Sequence, residues 1–420
     1  MQLIADLHIH SRYARACSKD LTLENLERYA RLKGIDLLGT GDFQHPRWRK
    51  DLDTLTEDQG LLRSAGGFPF LLQTEISLAF TQGGHGRRVH LLLLAPDLAT
   101  ADQVIEALKR RGRVDYDGRP IFGFSCIELV EMMRAISHEI EVVPAHAWTP
   151  YFGVFGSKTG FDTLADCFGD QTKHVHAIET GLSSDPAMNW RLSMLDGIQL
   201  LSFSDAHSFW PHRLGREVTM FEVKDLRSEQ ILRAIRTGDG LVRTIEVDPA
   251  YGKYHWDGHR DCNIVLSPDE SRRHQKICPA CKRPLTIGVE HRVTDLADRP
   301  PGTRPAGAKP FTSLMPLSEI LALATGTQPF SRGVQERHAR LVAAFGNEFR
   351  ILLDTPQAAI AQTDPQAADL ITRIREGKVT IRPGYDGVYG EPVLDPASGA
   401  RATPKRAGPT QTSLTHFGSA

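Results

Sequence analysis

His8 and His10 stand two apart in ADLHIHS, and Asp205 and His207 repeat that spacing in FSDAHS. Side chains at i and i+2 of an extended segment leave the same face, so each pair can offer two donor groups to one ion. Asp42 in GTGDF, Glu75 in QTEIS, His90 in RVHLLLLAP and His146 in PAHAW add carboxylate and imidazole elsewhere. A mixed oxygen and nitrogen donor set suits Zn²⁺, Mn²⁺ or Fe, and one carboxylate can bridge two ions. Any one of these residues alone reads as an ordinary core or loop residue; the argument rests on their repetition. A cluster of this kind suits hydrolysis of phosphate esters, because one cation acidifies a water while others neutralise charge on the phosphate and the leaving oxygen. Nothing in the chain resembles a phosphate-cradling P-loop, which argues against nucleotide-driven transfer.

The candidate ligands follow short apolar runs. Leu3 to Ala5 leads to Asp6, Leu37 to Gly39 to Asp42, Phe70 to Leu72 to Glu75, Val142 and Val143 to His146, His176 to Ile178 to Glu179, and Leu200 to Phe203 to Asp205. Between the first two runs a helix is expected, capped by Thr22, with Leu23, Leu26 and Ala30 on one face and Gly34 as its stop. This strand-helix rhythm predicts parallel strands buried on both sides, with polar groups gathered at their C-terminal ends, as in a barrel with a polar mouth. His90 is the exception: it precedes its apolar run and must enter from a loop or from the start of a strand.

The chain has 420 residues, 40% of them hydrophobic and 24% charged, which fits two or three globular units rather than a disordered or fibrous chain. Fifty basic and 51 acidic residues leave a net charge of −1, so any polyanion must be gripped locally. No run reaches the ~20 apolar residues of a membrane span, and the charged N-terminus lacks a signal peptide's apolar run; no membrane partner and a cytoplasmic protein are expected. Three of the six cysteines crowd one window. His259-x2-Cys262 and Cys278-x2-Cys281 have the spacing of a zinc ribbon, in which four N/S ligands hold a structural ion and leave no place for water. His255 could stand in for His259. Residues 299–311 read as a Pro- and Gly-rich linker, and 312–390 as mainly helical.

Together DLHIH at 6–10, GTGD at 39–42, TE at 74–75, His90, PAH at 144–146 and SDAH at 204–207 resemble the polymerase-and-histidinol-phosphatase (PHP) superfamily. That resemblance implies an α/β fold, a distorted (β/α)7 barrel over residues 1–247, holding two or three divalent metals (Zn, Mn or Mg). His8, His10, Glu75 and Asp205 would be one metal's ligands, with Glu75 bridging to a second metal on His90 and His146. His207 belongs to a third position, shared with Asp42 or His45, since Phe43 stands where the usual motif has histidine. With a zinc ribbon at 248–298 and the stretches GKYHWDGHRDC, CPACKRPLTIGVEHRVTDLADRP and IREGKVTIRPGYDGVYGEP, the chain is similar to a narrower family, endonuclease Q. Its members nick DNA 5′ to uracil, hypoxanthine, xanthine or abasic sites. The resemblance therefore implies a DNA-repair endonuclease, associated with the nucleoid and acting on damaged DNA.

Residue types near the motifs are consistent with this. Arg12, Arg15, Arg47, Arg49, Lys50, Arg87 and Arg88 put cations around the expected mouth, where DNA phosphates would lie. Trp148, Tyr151, Phe152 and Phe155, in the Gly-broken loop after His146, are candidates to line a pocket for an extruded base; Phe209 and Trp210 come second. The tail 391–420 is expected to be flexible, and its Gln411, Leu414 and Phe417 form a QxxLxxF string similar to the peptides that dock on sliding clamps. Two other readings are a small-molecule phosphatase of the histidinol-phosphatase kind, which would need neither ribbon nor helical appendage, and a PHP scaffold without catalysis, which would not be expected to keep so many ligands.

Overall fold

The computed structural model describes residues 1–394; the Gln411, Leu414 and Phe417 string lies outside them. The apolar runs form buried strands. Gln2–Asp6, Leu37–Gly39 and Pro69–Leu71 pair in parallel, in that order. The other edge of Gln2–Asp6 meets Val218–Glu222 antiparallel; Leu241–Glu246 and Phe311–Ser313 extend this sheet to one side, and the antiparallel strands Leu61–Arg63 and Thr56–Asp58 to the other. A second sheet is built on the hairpin Gln73–Gln82 and His85–Leu94, with Glu141–Pro144 beside it, and Ala177–Glu179 pairs in parallel with Gln199–Leu201.

A closed barrel would make these one sheet. They are separate sheets of eight, four and two strands, joined across the gaps by isolated backbone bonds, among them Ala95 N to Leu72 O, Ala147 N to Glu179 O, and the pair His10 N to Ala206 O and Ala206 N to His8 O. Three-residue strands make few ladder bonds, and the 73–94 hairpin interrupts the strand-helix alternation. The hairpin also explains His90, which lies inside a ten-residue strand and opposite Ser77. Ser77 and Glu75 share a face, so the register alone puts His90 and Glu75 on one side.

The first helix, Leu23–Lys33, starts where the Thr22 hydroxyl accepts the Asn25 N–H and ends at Gly34 with φ 92°. Glycine is required there twice over, because a Cβ would also come within 2.5 Å of Asn347 Oδ1. Asn347 belongs to the C-terminal helices, Leu317–Thr325, Arg332–Phe345, Glu348–Leu353, Gln357–Thr363 and Pro365–Arg375. They are tied to the first helix by a buried network. Lys33 Nζ donates to Glu348 Oε1 at 2.6 Å and to Pro211 O at 2.7 Å, and Glu348 Oε2 lies 2.9 Å from His338 Nε2. Burial would raise the Glu348 carboxyl, but Lys33 and His338 hold it down at about 2. After the helices, Thr380–Arg382 pairs with Glu391–Val393, and Gly384 O accepts Trp256 N–H, docking this hairpin on the cysteine-bearing segment. Among the described residues no helix is long and apolar enough to cross a membrane.

Two glutamates are buried around Ser202. The Ser202 hydroxyl lies 3.2 Å from Glu217 Oε2 and 2.8 Å from Glu246 Oε2. Burial pushes both carboxyls up, Glu246 to about 8, and its charge adds to the effect on Glu217.

Lys33→Met should cost roughly 3–5 kcal/mol in urea unfolding because it strands a buried carboxylate, and adding Glu348→Leu should recover most of that loss. Glu246 contributes stability that is complete below its ordinary value of 4.5 and declines as pH rises towards about 8, since over that window the unfolded chain has released a proton that the fold retains. Glu246→Gln should flatten that decline in melts taken from acid to mildly alkaline pH and raise Tm at the alkaline end.

Candidate metal centre

Three residues that follow short strands turn the chain sharply. Asp42, His146 and Asp205 adopt φ of 39°, 32° and 47°, a left-handed region that costs a side-chain-bearing residue about 1–2 kcal/mol. Packing at the strand ends holds them there. His8, His10, Glu75 and Asp205 each bring one donor atom into a group whose members all lie within 4.8 Å of one another, and Glu75, His90 and His146 form a second such group. Glu75 divides its oxygens between them. Its Oε2 lies 3.2 Å from His10 Nε2 and 3.7 Å from His8 Nε2, whereas Oε1 lies 2.8 Å from His90 Nδ1 and 3.2 Å from His146 Nε2. Asp205 Oδ1 completes the first group, 3.1 Å from His10 Nε2 and 3.5 Å from His8 Nε2.

A surrounding layer of carboxylates sets the imidazoles. Both Glu179 oxygens lie 3.0 Å from His8 Nδ1, and Glu179 Oε2 also accepts the His146 backbone N–H at 2.7 Å. Asp42 Oδ1 lies 3.0 Å from His10 Nδ1. Each contact turns the ring's Nε2 towards Glu75 and Asp205, the orienting arrangement that metal-binding histidines use. His8 Nε2 is buried without a hydrogen-bond partner. A buried nitrogen in that state is costly unless an ion takes its lone pair, so the donor set fits divalent metals.

The electrostatics agree. Burial opposes a charge on His8 and His10, but Glu179 and Asp205 around the first and Asp42, Asp205 and Glu75 around the second outweigh it, and both rings are held well above their ordinary value. Burial likewise opposes ionisation of Glu75, yet Arg119 and the imidazoles hold it well below the carboxylate range. The pocket therefore attracts positive charge. His90 and His207 are pushed down to about 3 and 4, chiefly by burial, which favours neutral rings.

Three expected ligands stand apart from these groups. Asp42 is spent on His10 and on the Ser11 N–H, at 2.6 Å. His45 lies 3.2 Å from Asp115 O and stacks on Tyr13 with ring centres 4.6 Å apart. His207 lies at the rim, its ring centre 4.5 Å from that of His10. Among the described residues no further donor group forms beside these two around Asp42, His45 and His207. The aromatic loop divides as well. Trp148 and Phe155 are buried against each other, and Trp148 Nε1 donates to Asn189, so these two serve the core rather than a substrate. Phe152, with φ 65°, lays its ring 4.3 Å from His90, and Tyr151 is exposed. Arg12 is paired with Asp51 at 2.6 Å, while Arg15 is exposed, its Nε 3.8 Å from Asp117.

Arg119, in an irregular loop with no sequence pattern to announce it, places Nη1 2.9 Å from Glu75 Oε2 and 3.4 Å from His90 Nδ1. Glu179 had a signal, since it ends an apolar run as the other site residues do.

His259, Cys262, Cys278 and Cys281 converge in a separate group, with Cys281 Sγ 3.5 Å from His259 Nδ1. One knuckle is the turn between Asp257–His259 and Ile264–Leu266; the other lies between Ile277 and Pro284. Cys278 is opposed by burial but drawn down to about 7 by the backbone N–H groups of Cys281 and Ala280, which favours a thiolate ligand. His255 stays outside the group, its Nδ1 buried and unpartnered.

A family model described as the MJ0043 C-terminal domain matches residues 316–378. The chain is 32% identical over 254 residues to the uncharacterized protein MJ0043 of Methanocaldococcus jannaschii, spanning 31% of that protein's length. It is 26% identical over 415 residues to the uncharacterized protein YqxK of Bacillus subtilis, covering 99% of it. Its fold is similar to the lesion-specific endonuclease PfuEndoQ of Pyrococcus furiosus, with TM-score 0.84 and 34% identity over 93% of this chain and 95% of that one. It is equally similar to an endonuclease Q solved with a 27-mer duplex substrate carrying an abasic lesion at the active site, with TM-score 0.86 and 34% identity over 94% and 98%.

Because one carboxylate serves both His-containing groups, Glu75→Ala should empty both while leaving the cysteine site loaded, and Cys278→Ser should do the reverse. Elemental analysis of metal per chain checks this; a Glu75→Ala protein with its full metal complement would refute the shared-ligand geometry.

Proposed function

Since the chain belongs to the endonuclease Q family and is a DNA-repair endonuclease, we propose that its two adjoining ligand groups bind divalent metals and hydrolyse the phosphodiester 5′ to a lesion. Abasic sites, uracil, hypoxanthine and xanthine are the proposed lesions. The observation that carries the reading is the division of Glu75 between two groups, which favours a pair of neighbouring cations. Such cations, when bound, supply an acidified water and neutralise charge on the phosphate. His8, His10 and Asp205 would hold one and His90 and His146 the other, with Asp42 and Glu179 fixing the rings. His207 would serve at the rim, and Asp42 or His45 could reach a third ion only after rearranging. Arg119, whose Nη1 lies 2.9 Å from Glu75 Oε2, would also be placed to pair with a phosphate oxygen of the substrate.

Phe152 against His90 and exposed Tyr151 beside it support a lesion pocket at this mouth, with Arg15 as a nearby phosphate contact. The separate sheets are read as the distorted (β/α)7 barrel, residues 1–247; His259, Cys262, Cys278 and Cys281 as a structural zinc ribbon at 248–298; and the tail as a sliding-clamp ligand.

With Mg²⁺ or Mn²⁺, the protein should nick duplexes carrying an abasic site, uracil or hypoxanthine and spare undamaged DNA and para-nitrophenyl phosphate. Arg119→Gln should lower kcat about 100-fold with metal content unchanged, the scale of a lost transition-state charge contact. Tyr151→Ala with Phe152→Ala should reduce lesion cleavage more than metal content; equal loss of both would count against the pocket.

A further inference from the structure

Away from the metal centre, three cations meet without a carboxylate paired to any of them. Arg213 and Arg216 lie on the segment continuing from Asp205 and His207, and Lys253 lies just ahead of the cysteine-bearing hairpin. Among the described residues none of the three forms an ion pair. They converge on Tyr389, in the GYDGVYGEP stretch that the metal centre does not use. Arg213 Nη1 lies 3.4 Å from the Tyr389 hydroxyl, and Lys253 Nζ lies 4.6 Å from the centre of its ring. Arg216 donates its Nε–H to Ser204 O at 3.0 Å, which anchors the side chain, and the residue lines the cleft. Leu182, Arg213, Arg216, Tyr251, Glu319 and Tyr389 line a shallow surface cleft there. Leu182 follows Glu179, so the cleft adjoins the loops that carry the metal ligands.

The local potential is positive. Burial would raise the Tyr389 hydroxyl, yet Arg216, Arg213 and Lys253 bring it down to about 8. His212 is pushed down to about 4, mainly by burial, and adds no charge at neutral pH. Glu319 lines the same cleft, but burial raises its carboxyl, so it only partly offsets three cations. The Tyr251 ring lies 6.2 Å from that of Tyr389, centre to centre, so two aromatic rings border the cleft. Unpaired cations interleaved with aromatic rings are how a protein groove follows a nucleic-acid strand.

We propose that Arg213, Arg216, Lys253 and Tyr389 form a phosphate-binding subsite for the DNA strand, separate from the metals, gripping a phosphodiester that flanks the one cut. The proposal rests on the endonuclease reading and adds a second point of attachment. It is sequence-independent, since phosphate contacts position a duplex without reading its bases. The test compares the full-length protein with Arg213→Gln/Lys253→Gln on an abasic duplex and its undamaged counterpart, across a salt series. Each lost phosphate contact should reduce the slope of log affinity against log salt by about 0.9, and low-salt affinity should fall about tenfold for both duplexes. Metal content, Tm and kcat at saturating duplex should not change, and Arg213→Lys/Lys253→Arg should keep the wild-type slope. An unchanged slope in the Gln variant overturns the subsite while leaving the endonuclease intact, and a parallel fall in Tm or metal content would assign these residues a structural role instead. A wild-type protein that neither binds nor cuts the abasic duplex would bring down the function itself, and the subsite with it.

Discussion

One buried carboxylate, shared in two directions, organises this molecule. Glu75 is excluded from water, faces four imidazoles and a guanidinium, and lies near the carboxylate of Asp205. Charge buried in this way is costly unless paired, so the surrounding groups must supply cations or hold one in place. Arg119 does so from one side, and the raised imidazoles of His8 and His10 do so from another. The same field that draws protons onto these rings would draw divalent ions.

The fold meets that constraint with strain and bracing rather than a regular barrel. Asp42, His146 and Asp205 occupy left-handed backbone at strand ends, and the 73–94 hairpin carries both Glu75 and His90 on one face. The aromatic loop is fastened from outside the sheets: Arg292 donates to Phe155 O and Phe161 O, and Ser157 to Ile287 O. Arg292 lies in the helix Val289–Leu296 and Ile287 just before it, beyond the cysteine knuckles, so this helix and its approach brace the loop that carries Phe152. The Lys33, Glu348 and His338 network joins the C-terminal helices to the first helix and to Pro211, in the segment that also carries Arg213. Regions far apart in the chain thus converge on one mouth.

The chemistry was largely legible in the chain. Apolar runs ending in His, Asp or Glu marked the strands and their ligands, because a strand buried on both faces must be apolar until it reaches the site. Thr22 and Gly34 bounded the first helix for local reasons of capping. The Cys-x2-Cys spacing marked the second cluster because a knuckle is a local structure. His90 was misread in position because an antiparallel hairpin reverses which part of a strand faces the site, and a single chain does not announce that reversal. Trp148 and Phe155 looked like pocket residues and turned inward, since an aromatic side chain has the same composition whether it faces a ligand or the core.

By itself the sequence determined which donor types exist, their i and i+2 pairings, and therefore that metal-assisted phosphate chemistry was available. Tertiary structure alone decided how those donors are divided: that Glu75 serves two groups, that Asp42 and Glu179 orient rings, that His45 stands aside, and that Arg119 and Tyr389 face charged clefts. The reason is physical. Coordination and electrostatic fields depend on distances of a few ångströms between residues from strands and loops that are remote in the chain, and only the folded backbone sets those distances.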